Sequence, residues 1–151
     1  MIDHNLNMQA AINEAMAAYN EGEVPVGAAL FIADRLIAAE HNRKEQLNSA
    51  TAHAELLCIN KACEIVGDWR LNEAMLYVTA EPCFMCAGAI IQARIPLVVF
   101  GVPEPKFGGV LTKAQLFDIP TLNHHVDYIA AVREDEIRAM MQAFFKELRK
   151  G

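Results

Sequence analysis

Two short segments, Thr51-Ala-His-Ala-Glu55 and Glu81-Pro-Cys-Phe-Met-Cys86, restrict this chain more than any other part of it. Each reads as the opening turn of a helix. Thr51 is a residue that can cap the first, and Pro82 sits where a first-turn proline is tolerated because its missing N–H would have no partner anyway. Cys83 and Cys86 are three apart, so on a helix they project to one side and both thiolates can reach one ion. With His53 as third ligand, the two helix mouths must meet in space, and only folds that bring them together are admissible. Three such ligands leave a tetrahedral zinc with its fourth corner for water, the arrangement of a catalytic rather than a structural site. Glu55, two residues beyond the histidine, stands outside the ligand set and is free to move protons.

The remaining pattern says how the mouths could be brought together. Met8, Ile12, Ala15, Met16 and Tyr19 fall at helical spacing, and Gly22 can end that helix. Val26 to Ile32 and Leu36 to Glu40 read as a hairpin around Asp34-Arg35, without a glycine in the turn. A polar stretch from Asn42 to Ser49 leads to the His53 helix, which is expected to bury Leu56, Ile59, Cys63 and Val66 and to stop at Gly67. Met75 to Thr79 is a strand delivering the chain to the Cys83 helix, and Leu97 to Gly101 is another. Strand, short helix, strand implies a crossover and parallel pairing. A Pro/Gly loop from Val102 to Gly109 follows, then a short helix near Thr112 to Phe117 and a weak strand at Val126 to Ala130. The last helix, Glu134 to Lys150, carries Ile137, Met140, Met141, Phe144, Phe145 and Leu148 on one face. The pattern fits a three-layer α/β/α domain around a five-stranded mixed sheet, a single domain spanning residues 1–151.

Composition excludes several classes. At 151 residues and 54% hydrophobic, the chain suits one globular domain with a sizeable core. No apolar run approaches the roughly 18 residues of a membrane span, and the N-terminus is not that of a signal peptide. Four cysteines, two of them in a metal motif, point to a reducing cytoplasm. Net charge is −6, with the acidic excess confined to residues 1–75 and the rest balanced. A nucleic-acid partner would therefore need a local basic patch. The candidates are Lys106 and the terminal cluster Lys146, Arg149 and Lys150, with Phe145 as a neighbouring aromatic face.

The H-x-E…P-C-x-x-C pattern is that of the zinc-dependent nucleobase deaminases. With its flanks Glu23-Val-Pro-Val-Gly-Ala28, Leu76-Tyr-Val-Thr79, Arg94-Ile-Pro-Leu-Val-Val-Phe-Gly101 and Leu122-Asn-His124, nearly the whole chain resembles the bacterial tRNA-specific adenosine deaminases of the cytidine/deoxycytidylate deaminase superfamily. The resemblance implies a cytidine-deaminase-like fold, one zinc per subunit on His53, Cys83 and Cys86, and hydrolysis of adenosine to inosine at the wobble position of a tRNA anticodon. Glu55 would move the protons. It further implies a homodimer in which each subunit helps complete its neighbour's site. Asn42 would face the flipped base, with Val26, Ala54 and Phe84 around it, and Asn123 and His124 would touch the RNA. The loop after Gly101 departs from the family pattern of an aspartate and a small-residue run ending in serine. Here Glu104 carries the charge on a longer arm, Phe107 adds a large apolar group, and Thr112 replaces the serine hydroxyl.

Plainer readings stand beside these. A lone C-x-x-C can be a redox pair, and Glu55 can be a favourable charge at a helix N-terminus. Cys58 and Cys63 are read as core packing, and His4, His41 and His125 as surface or structural. The terminal cations would also be favoured by the helix dipole alone. Two further functions compete: deamination of a free base or nucleoside such as cytosine or guanine, which suits the acidic balance, and a non-catalytic zinc-stabilised scaffold. The scaffold has no use for Glu55.

Overall fold

In the computed structural model, which describes residues 1–150, helix α1 (His4–Asn20) begins at Asp3, whose carboxylate accepts from Leu6 N at 3.1 Å. Gly151, the last residue of the expected domain, lies outside the described residues. A hairpin follows, β1 (Gly27–Ile32) and β2 (Arg35–His41). Its turn is Ala33-Asp34 rather than Asp34-Arg35, because Arg35 already pairs with Ile32, and Ala33 takes the left-handed φ of 55° that glycine would have supplied. A register shift after Leu30 marks a bulge in the pair.

The polar stretch after β2 contains a four-residue helix, α2 (Lys44–Leu47), that the sequence pattern does not reveal. Helix α3 (Ala54–Val66) ends at Gly67, whose left-handed φ of 78° lets its N–H bond Cys63 O. Strand β3 (Ala74–Ala80), helix α4 (Phe84–Gln92) and strand β4 (Leu97–Val102) form the expected crossover, and β3 and β4 pair in parallel. The short helix near residues 112–117 is a single 3-10 turn at Leu116–Asp118. Strand β5 (Asp127–Ile129) then pairs parallel to β4, and α5 (Glu134–Lys150) closes the chain at the bounds its amphipathic pattern indicates.

The sheet order is β2-β1-β3-β4-β5, antiparallel through β2, β1 and β3 and parallel from there. Alternation along the strands divides the core. Leu76 and Val78 join Leu30, Cys58, Ile90 and Phe100 under α3 and α4. Tyr77 joins Met8, Ile12, Phe31, Val99 and Ile137 under α1 and α5. The architecture is three layers, α/β/α.

Two expectations about α3 are corrected. Its buried stripe is Ala54, Glu55, Cys58, Ile59 and Ala62, an i, i+4 row whose alanines allow close approach to the sheet. Leu56 and Cys63 are half-buried, and Val66 is exposed at the frayed end beside Gly67. On α5 only Ile137 and Phe144 are buried, while Phe145 and Leu148 stay exposed.

Helix α1 crosses β1 at Gly27. A Cβ there would lie 2.0 Å from Ala11 O and 2.5 Å from Ala15 N, both backbone atoms that cannot swing aside. Gly27→Ala should therefore push α1 off the sheet and cost about 3 kcal/mol, read as a lowered urea midpoint at unchanged slope. A change below about 0.5 kcal/mol would contradict the close crossing.

Candidate active site

Parallel pairing of β3 with β4 carries the chain past Ala80, where Glu81 N bonds Val102 O at 2.8 Å, and then into α4. The residue in the N-cap position of α4 is Cys83, so Pro82 precedes the cap instead of opening the helix. The N-cap of α3 is His53, not Thr51, whose hydroxyl lies 3.4 Å from that of Ser49. Neither cap residue's side chain bonds its own helix. Both are turned toward each other: His53 Nδ1 lies 3.6 Å from Cys83 Sγ and 3.6 Å from Cys86 Sγ.

That spacing can be tested against a metal. An ion at about 2.3 Å from sulfur and about 2.0–2.1 Å from nitrogen, with tetrahedral angles, sets the S···N edge at about 3.6 Å. The three ligand atoms, all within 4.8 Å of one another, fit such an ion. Their electrostatics ask for one as well. The neighbouring Cys86 thiol first, and His53 after it, hold the Cys83 pKa down to about 4, against the desolvation that raises it. Cys86 itself is pushed up, by the neighbouring sulfur first and by burial second. A cation would let both sulfurs be anions.

Glu55 sits in the first turn of α3, only 4% exposed. Burial pushes its carboxyl up to about 7, opposed by its own backbone N–H and by His53. A group with that pKa takes and returns a proton readily at neutral pH.

Glu55, His53 and Cys83 face a cavity of about 520 Å³. Of the residues the sequence nominates, Val26, Asn42, Ala54, Glu104, Lys106 and Phe145 also line it. Asn42 is half engaged, its Nδ2 donating to Val24 O and its Oδ1 accepting from Lys44 N. One N–H and one lone pair remain for a ligand. Phe84 is exposed and outside the lining, since the first turn of α4 points it away from the cavity. Asn123 and His124 are not brought there within one chain, because His124 Nε2 bonds Ile95 O, just before the start of β4. Lys146 and Arg149 lie beyond Phe145 on α5, exposed. His41, read as structural, is buried between Glu14 and Glu21, each at 2.8 Å.

Lining residues that the sequence reading missed include Lys44, Glu81 and Met141, while Phe107, singled out in the loop after Gly101, lines the cavity as well. Met141 precedes Phe145 by four residues on α5, a spacing that could have found it. For Glu81 the signal was a charged residue directly after an almost wholly buried strand.

Comparison with known proteins follows this geometry. The MafB19-like deaminase family matches residues 2–149. The chain is 46% identical over 150 residues, 99% of its length and 93% of the other's, to a tRNA-specific adenosine deaminase of Bacillus subtilis. A solved structure from a study of A-to-I editing by tRNA:A34 deaminases at the wobble position is 43% identical, with a TM-score of 0.85 over 89% of this chain and 98% of that one. A guanine deaminase from Nitrosomonas europaea superposes with a TM-score of 0.82 over 95% of this chain and 85% of that one, at 22% identity, and shares the fold alone.

The ligand geometry sets an expectation for metal analysis. Protein purified without chelator should hold close to one equivalent of a divalent transition metal per chain. Cys86→Ala, which removes the buried ligand, should lose most of it. Full retention in that variant would exclude the three-residue site.

Proposed function

The chain belongs to the tRNA-specific adenosine deaminase family, and we propose that it hydrolyses adenosine to inosine at the wobble position of a tRNA anticodon. The observation that carries the reading is a buried carboxylate, Glu55, beside a three-ligand metal site at the floor of a cavity large enough for an extruded base. His53, Cys83 and Cys86 would hold one zinc, which supplies a Lewis acid at which water becomes a nucleophile at neutral pH. Glu55 takes one proton of the attacking water and delivers it to N1 of the adenine ring as oxygen bonds to C6, then moves the second proton from that new hydroxyl to the amino group. The C6–N bond breaks after this addition, so adenosine and water become inosine and ammonia. Asn42 and the apolar wall at Val26 and Ala54 hold the ring against that carboxylate.

RNA contact rests on α5. Met141, Phe145 and Arg149 recur every four residues, so the row that enters the cavity continues outward to a guanidinium. Lys146 and Lys150 flank it, and Lys44 and Lys106 stand exposed at the cavity mouth. A homodimer is part of the same proposal. What supports it is the apolar surface left on the single chain, with Phe84, Leu111 and Ile119 exposed on and beside α4. Asn123 and His124, remote from this chain's own cavity, would then serve a neighbour's. Among the described residues no helix is long and apolar enough to cross a membrane, and a cytoplasmic setting agrees with four free cysteines.

A product assay offering anticodon-stem RNA, single-stranded DNA, adenosine, cytosine and guanine in parallel tests the reading. Inosine from the RNA is the expected product, and turnover of a free base alone would favour a nucleobase deaminase. Glu55→Ala should keep its metal and lose about 10²–10⁴-fold in turnover; activity within a few-fold of wild type would remove it from the mechanism. Replacing Lys146, Arg149 and Lys150 with Ala should flatten the salt dependence of RNA binding by up to ~0.7–0.9 log units per lost phosphate contact. An unchanged slope would leave these cations as helix-end charges only.

A further inference from the structure

Glu81 is the one buried carboxylate at the cavity that the deamination chemistry does not use. It is 2% exposed and lies between the end of β3 and the metal-ligand helix. Both of its oxygens are taken by a single loop. Oε1 accepts from Glu104 N at 3.1 Å and from the Thr112 hydroxyl. Oε2 accepts from Val110 N at 3.2 Å, Leu111 N at 2.8 Å and Thr112 N at 3.0 Å. The loop thus has each of its ends fastened to one side chain. A second carboxylate continues the chain of contacts: Glu104 Oε2 accepts from Lys106 N at 2.7 Å and from Phe107 N. Gly108 leaves room for this arrangement, since a Cβ there would lie 2.5 Å from Glu81 Oε2.

The result is an irregular loop with a fixed backbone and exposed tips. Phe107 is 59% exposed, and Lys106 is exposed beside it, both lining the cavity. An aromatic ring and an ammonium group held over a pocket suit a nucleotide next to the bound base, through stacking on the ring and contact with its phosphate.

We propose that Glu81 is a positioning residue that, through the relay to Glu104, fixes Lys106 and Phe107 as a preformed platform for a nucleotide flanking the target adenosine. The inference rests on the RNA-editing reading above. Glutamine is a discriminating replacement. Its one carbonyl can still serve the three amides of residues 110–112, but its NH2 then faces Glu104 N–H, donor against donor, so the relay breaks at Glu104 while the rest of the shape is kept.

The experiment combines steady-state kinetics on an anticodon stem-loop RNA with hydrogen exchange of the 104–112 amides and metal analysis. Glu81→Gln should raise KM about tenfold, the value of one charge-assisted hydrogen bond, with kcat within about threefold and metal content unchanged. Its Lys106 and Phe107 amides should exchange faster. Thr112→Val, which removes the hydroxyl donor, should move KM and exchange the same way by a smaller factor, and Thr112→Ser should match wild type. A KM unchanged in Glu81→Gln would overturn the proposal. So would a fall in kcat and metal content at constant KM, which would make Glu81 a support for the metal helix. If Glu81→Gln does not fold, the Thr112 pair decides: equal KM for valine and serine rejects the relay. Wild type failing to turn over the RNA would defeat the editing reading instead. The exchange data would still show whether the carboxylates hold the loop, and protection unchanged in Glu81→Gln would reject that as well.

Discussion

The convergence of two helix N-termini on one point governs this structure. Helices α3 and α4 begin at His53 and Cys83, and each directs its unpaired N–H groups and the positive end of its dipole at the same small volume. Such a volume favours anions by up to ~2 kcal/mol per helix in partly buried settings, and two thiolates are what a soft divalent metal needs. The side chains in the cap positions form the candidate metal-ligand group instead, since neither His53 nor Cys83 caps its own first turn. The fold follows from holding these mouths together. A parallel β3–β4 pair delivers α4, and α3 docks on the same face of the sheet through the Ala54, Cys58 and Ala62 row.

Much of this was legible in sequence because the signals are local. The ligand motifs lie within a few residues of themselves, and α5 has a strong amphipathic period ending at the chain terminus, so its bounds were found correctly. Strands β3 and β4 read clearly as apolar runs between turn residues. The misses have a common cause. Helix α2 is one turn with no buried residue, and its amides at Glu45 and Gln46 are satisfied by Glu23, more than twenty residues earlier. The caps were misplaced because the side chains of His53 and Cys83 turn toward each other and not onto their own first turns. Val66 is apolar yet exposed at the C-terminal end of α3. Glu81 was invisible for the reason α2 was: its partners lie 23 to 31 residues away. Periodicity reports which way a side chain faces, not what meets it there.

Glu23 and Glu81 deserve comparison, being the two carboxylates most deeply buried at the cavity's surroundings. Each follows the same design. A buried acid receives backbone N–H groups of a segment outside the sheet, the one-turn helix α2 for Glu23 and the 104–112 loop for Glu81, and that segment then walls the pocket: Lys44 on one side, Glu104 to Phe107 on the other. Buried carboxylates are costly when unpaired and strong when they accept several amides. For Glu81 burial raises the pKa, but the Thr112 hydroxyl and the loop amides outweigh it and the net shift is downward, so the group is an anion in the folded chain. Irregular backbone at the pocket rim thereby has its amides satisfied by side chains, as those of the sheet are by its ladders. The longer acid and the threonine that distinguish this loop both have partners in that scheme, at Lys106 and Phe107 for Glu104 and at Glu81 for Thr112.

The same arrangement would reconcile an acidic chain with the RNA substrate proposed for it. Net charge of −6 would repel phosphate if it were spread evenly. Around the cavity it is not. Glu23, Glu81 and Glu104 direct oxygens at backbone amides, and Glu14 and Glu21 close on His41. The groups left exposed at the mouth are Lys44 and Lys106. At physiological ionic strength interactions between exposed charges fade over roughly 8 Å, so a phosphate entering the site meets these ammonium groups more strongly than the acidic surface behind them. Elsewhere the negative surface weakens the sequence-independent attraction that gives most basic proteins their background affinity for nucleic acid. Affinity then depends on placing a base in the cavity and its neighbour against the loop. A substrate that cannot present an extruded base gains little from two cations alone. On the RNA-editing proposal the acidity would act as a filter on the substrate, and the buried glutamates would keep that filter compatible with binding at the cavity.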